Sequence, residues 1–166
     1  MRQITTLLTL ISSSFFFAPF AQAAPSEPKE ATKSSIELYN EAWDALQDLE
    51  FEKAEKLLRS SLKEDDAFAE AHNNLAYALR KQKDPSLEEA LRHYNRAIAL
   101  EPKLAEAYMY RGVLYVQMGN PDLALKDHGV LLKMNPKLAT ELEWVITNGK
   151  EKEPEKFFGV VGKSDK

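Results

Sequence analysis

Three histidines, His72, His93 and His128, are the side chains of this 166-residue chain best suited to proton transfer at neutral pH or to nitrogen ligation of a metal; cysteine is absent. No two of them have the i, i+4 spacing of a metal-binding helix face, and their positions put them on different helices and different faces. Each is expected to be an ordinary packed or half-exposed helix residue. Without cysteine there can be no disulfide, no Cys-based zinc site and no thiol nucleophile. The acid pairs Asp65-Asp66 and Glu88-Glu89 fall in a turn and in the first turn of a helix, where solvation and the helix dipole account for them. No Gly-rich phosphate loop and no Gly-x-Ser-x-Gly elbow occurs. The residues thus offer no convergent catalytic group, and the expectation is a non-enzyme without cofactor or metal. A net charge of −4 and a pI near 5.5 supply no basic footprint for phosphate backbones, so no nucleic acid partner is expected.

The elements that must carry these residues are repetitive. Aligning residues 35–68, 69–104 and 105–138 brings small residues Ala42, Ala76 and Gly112 to repeat position 8, and Ala54, Ala90 and Ala124 to position 20. Leu62, Ile98 and Leu132 share position 28. The turns Glu101-Pro102 and Asn135-Pro136 coincide at positions 31 and 32 with Asp65-Asp66 of the first copy. The middle copy needs a two-residue insertion near Pro85-Ser86. Apolar spacing such as Ala90, Leu91, Tyr94, Ala97 and Ile98 gives two amphipathic helices per copy. Ser86-x-x-Glu89 reads as a capping box, and Asn120-Pro121 as an N-cap followed by Pro in the first helical position. Small residues at positions 8 and 20 are expected where the two helices of one copy cross, because a larger side chain would force their axes apart.

This pattern resembles the tetratricopeptide repeat, whose signature has small residues at positions 8, 20 and 27, large apolar or aromatic residues at 4, 11, 17 and 24, and Pro at 32. The third copy follows it with Tyr108, Gly112, Tyr115, Ala124 and Pro136, and the second with Leu75, Ala76, Ala90, Tyr94, Ala97 and Pro102. The first departs, with Leu38 at position 4, Glu41 at 7, Ser61 at 27 and Asp66 at 32. The fold implied is all-α: a right-handed superhelical stack of three helix-turn-helix pairs. It is closed by a capping helix over residues 139–149, whose Leu142, Val145 and Ile146 cover the last copy.

In the resembling family the first helix of each pair lines a concave groove through positions 2, 5, 6, 9, 12 and 13. Those positions here include Tyr39, Asn40, Trp43, Leu46 and Gln47. The second copy supplies Glu70, Asn73, Asn74, Tyr77, Arg80 and Lys81, and the third Glu106, Met109, Tyr110, Val113, Val116 and Gln117. Aromatic anchors beside amides and an Arg suit a peptide-binding surface. The rings of Tyr39, Trp43 and Tyr110 suit packing between helices equally well. Family members that clamp a carboxy-terminal Asp use cations at the places that here hold Tyr39, Glu106 and Tyr110, and Asn at those of Trp43 and Asn74. Only Asn74 matches, so a carboxylate clamp of that type is not expected.

The two ends read differently. Residues 1–23 have Arg2, then an apolar run from Ile4 to Phe20, then Ala21-Gln22-Ala23, which is the pattern of a cleaved secretory signal rather than of a membrane span. Cleavage after Ala23 avoids placing Pro25 just past the scissile bond, and residues 24–34 form a flexible leader. No Cys follows the apolar run and no twin Arg precedes it, so the expected destination is a periplasm by the general secretory route, without a membrane span after cleavage. At the other end, residues 150–166 form a charged tail interrupted by the apolar cluster Phe157, Phe158, Val160 and Val161. The resulting expectation is an exported adaptor that binds a protein or peptide in its groove. The alternative is an accessory subunit of an envelope complex that docks through its convex face or its tail.

Overall fold

Seven α-helices and no strand occur among the residues described by a computed structural model, 33–152 and 163–164. The expected signal, the expected leader up to residue 32, and the apolar cluster of the tail fall outside these residues. Three helix pairs follow one another: α1 (Ser35–Gln47) with α2 (Phe51–Glu64), α3 (Ala69–Lys81) with α4 (Leu87–Leu100), and α5 (Ala105–Gln117) with α6 (Pro121–Met134). A seventh helix, α7 (Pro136–Asn148), packs on α5 and α6. No described helix is long and apolar enough to cross a membrane.

The repeat positions explain the packing. Ala42, Ala76, Ala54, Ala90 and Ala124 are completely buried, which lets neighbouring helices approach closely. Gly112 serves a different neighbour from the one expected. A Cβ there would meet the side chain of Leu142 on α7 at 2.5 Å, so the glycine makes room for the closing helix. Ser61, which departs from the usual small apolar residue at its position, donates a 2.8 Å hydrogen bond to the carbonyl of Ser35 and so ties the end of α2 to the start of α1.

Tight turns join the first and third pairs. Glu50 N–H reaches the Ala45 carbonyl and Asn120 N–H the Tyr115 carbonyl, each around one residue of positive φ, Leu49 at 61° and Gly119 at 76°. The insertion of the middle copy is absorbed by the longer 82–86 connection, where Gln82 donates to Glu55.

Three local expectations are corrected. Ser86 begins α4 without a side-chain cap, and the other half of the box is missing too: Glu89 is turned to Arg59, which binds it at 2.9 Å, and the Ser86 N–H donates to the Leu79 carbonyl; a capping box is formed instead by Ser34 with Glu37. Asn120 stands at the N-cap of α6 but makes no capping bond, its amide donating to the Met118 carbonyl. The closing helix begins at Pro136 rather than Ala139. Asn135 ends α6 and, through a side-chain bond from Leu138 N–H, also caps α7, so Pro136 opens a helix instead of a turn. Leu132 is 55% exposed, unlike its equivalents Leu62 and Ile98, since no partner helix follows α7 among the described residues.

Candidate peptide-binding groove

The first helix of each pair, α1, α3 and α5, carries the residues expected to line a groove, and their environments differ sharply. Tyr39 is fully buried, its ring 4.6 Å from that of Phe68 and its hydroxyl accepting a 3.0 Å bond from Asn74. Burial pushes that hydroxyl's pKa up. Asn73, Asn74, Tyr77, Met109, Tyr110 and Val113 are also buried. The Tyr77 and Tyr110 rings meet at 5.0 Å, so these aromatics hold α3 to α5. In the folded chain, therefore, most of the expected lining is not open to solvent. Asn40 and Trp43 remain half-buried, and Gln117 is exposed.

Arg80 is the charged centre of this surface. It is 5% exposed, and its guanidinium lies 5.4 Å from the Tyr77 ring centre and 5.3 Å from that of Tyr110. So buried a cation requires a counter-ion. Glu151, three residues past the end of α7, provides it: its carboxylate lies 2.5 Å from Arg80 and 3.2 Å from Lys81. Burial alone would raise the Glu151 pKa, but Arg80 and then Lys81 hold it below the usual carboxylate range. The family's usual clamp cations are missing, yet a half-buried carboxylate is bound here by Arg80 and Lys81. The surrounding cleft, about 320 Å³, is walled by Val113, Val116 and Val145.

At the other end of the surface, α1 holds the chain's residues 163–164. Asn40 donates through Nδ2 to the Ser164 carbonyl at 3.0 Å and accepts the Ser164 N–H at 2.9 Å. Lys163 places its ammonium 5.5 Å from the Trp43 ring centre and 2.9 Å from Asp44. An amide that satisfies both polar groups of one residue's main chain grips backbone without reading a side chain.

The histidines are packed or half-exposed helix residues, as expected, but two of them meet. His72 and His93 come together across α3 and α4, Nδ1 to Nδ1 at 2.9 Å with their rings stacked, while His128 stands apart on α6. Spacing along one helix cannot reveal a pair formed between two. The bond from His72 Nε2 to the Asp66 carbonyl assigns the proton of His72 to Nε2, so His93 Nδ1–H donates to His72 Nδ1. Burial, and then His72, push the His93 pKa down to about 4. Among the described residues no group of three or more His, Asp or Glu is placed to hold a metal.

Comparison with known proteins agrees with this architecture. Residues 86–119 match a family model described as TPR repeat, and residues 39–88 one described as tetratricopeptide repeat. Among solved structures, the first TPR of Spaghetti (RPAP3), bound to the HSP90 peptide SRMEEVD, is similar with a TM-score of 0.62. The two are 21% identical over 68% of this chain and 90% of that one, a likeness that concerns the fold. With two repeat models matched in tandem over stacked helix pairs, this chain is a member of the tetratricopeptide repeat family.

Proposed function

We propose that this chain is an exported protein-interaction adaptor whose groove holds an extended segment of a partner. The observation that carries this reading is the main-chain grip of Asn40 on Ser164, beside the half-buried ring of Trp43. A surface that satisfies both main-chain polar groups of one residue has the chemistry to take the backbone of a partner segment. The peptide bound to the similar TPR of Spaghetti is in keeping with this use of the fold. Export rests on residues 1–23, and amino-terminal sequencing of the exported protein should return Ala24; recovery of Met1 would overturn it.

The groove is tested by crosslinking and pull-down of the processed protein from its own cell envelope. Trp43→Ala should weaken capture by about 2 kcal/mol or more while the helical circular dichroism persists. Tyr110 is unsuited to this test, because its ring is packed between α3 and α5.

A second reading is favoured by a separate observation. Leu125 and Leu132, seven residues apart and so on one side of α6, are both exposed, an apolar strip of the kind through which an accessory subunit docks on a larger complex. Loss of capture on Leu132→Glu, with Trp43→Ala neutral, would select that alternative.

A further inference from the structure

We propose that the groove is specific for a segment bearing a carboxylate side chain at one end and a lysine at the other, and that the chain's own Glu151 and Lys163–Ser164 are the resident occupants of these two places, displaced when a partner binds. The inference rests on the groove being the binding surface.

The carboxylate requirement comes from Arg80. It lies between two tyrosine rings of the stack, but the carboxylate paired with it comes from beyond the last helix. With that carboxylate in place Arg80 is 5% exposed, so a segment taking the same position must answer a charge shielded from water, and an anionic group does so well. Lys81, 13% exposed at its side chain, adds a second donor to the same carboxylate. A neutral residue in place of Glu151 would leave both cations without it.

The lysine preference comes from α1. There the ring face of Trp43 and the carboxylate of Asp44 both address the Lys163 ammonium, while Asn40 fixes the adjoining backbone. This end is held more loosely than the other. The Lys163–Asp44 pair is about half exposed on both sides, where an ion pair contributes little. Glu151 is instead clasped by two cations in a cleft. An incoming segment of the same chemistry would displace the Ser164 end first and compete for Arg80 last.

The test uses the full processed chain and a fluorescein-labelled peptide that reproduces residues 150–166. Ser164→Pro removes the N–H that Asn40 accepts and leaves the Arg80–Glu151 pair intact, so the fold should survive. Glu151→Gln loosens the other end, and a melting curve verifies each variant. By fluorescence anisotropy the wild-type chain should bind the peptide weakly. Either tail variant should bind it at least tenfold more tightly, and adding Asn40→Ala to Ser164→Pro should reverse that gain. A peptide with Gln at the position of Glu151 should bind the Ser164→Pro chain at least tenfold less well than the native peptide. Equal affinity for the wild-type and both tail variants would overturn the resident ligand, and indifference to Asn40→Ala and to the Gln peptide would overturn the proposed specificity. If the peptide fails to bind any variant while Trp43→Ala still abolishes partner capture, the resident ligand is disproved and the groove reading stands.

Discussion

His72 and His93 share one hydrogen bond, Nδ1 to Nδ1 at 2.9 Å, and that bond exists only while at least one of the two rings is neutral. Around them stand Asp66 and Glu89, the latter 3.8 Å from His93 Nε2, with Arg59, Arg92 and Arg96 adding positive charge. Burial leads in pushing both imidazoles below their ordinary pKa, His93 to about 4.

The pH dependence follows in sign. Between pH 6.5 and 4 the unfolded chain protonates His93 and the folded chain does not, so stability is complete above that window and falls as the pH drops through it. From pH 7 to 5 the loss should be about 2 kcal/mol. His93→Gln should flatten that slope in urea titrations; equal slopes would refute the assignment.

Gly112 and Leu142 should be energetically coupled. Gly112→Ala gains about 1 kcal/mol of helix propensity but drives a methyl into the completely buried Leu142, an overpacking worth about 1–3 kcal/mol. The single change should lower stability. In a denaturant double-mutant cycle, Leu142→Ala should make Gly112→Ala neutral or stabilising.

Asp127, 2% exposed, accepts two bonds from Arg111, from Nε at 3.0 Å and from Nη2 at 2.6 Å, while Nη1 of the same Arg reaches Asn95 on α4. One guanidinium therefore ties α5 to α6 and α4. Asp127→Ala should cost about 3 kcal/mol by leaving Arg111 without its buried partner, measured as a lower midpoint in urea.

Leu49 and Gly119 occupy equivalent left-handed positions in the two tight turns, and only Leu49 bears a side chain there. Leu49→Gly should raise stability by about 1 kcal/mol and Gly119→Ala lower it by about as much, read from paired melting curves. A destabilised Leu49→Gly would show that its half-exposed side chain contributes more than its backbone costs.

The helix pairs were legible in the letters because the repeat is a local pattern. Small residues every 34 or 36 positions and apolar residues at helical spacing act within one pair or between neighbours. Ser86 and Glu89 have the spacing of a capping box yet form none, Glu89 being held by Arg59 of another helix, whereas the box that does form, Ser34 with Glu37, stands at a boundary that the sequence pattern assigns to the leader. The candidate groove was legible only as a set of positions. That Tyr39, Asn74 and Tyr110 are buried, that Arg80 needs a counter-ion and finds Glu151, and that Asn40 holds Ser164 were decided by tertiary structure. Those partners lie far apart along the chain, 124 residues for Asn40 and Ser164, and no periodicity links them. The histidine pair has the same origin: two imidazoles on different helices meet only after the repeat has folded, and their depressed pKa comes from that shared burial.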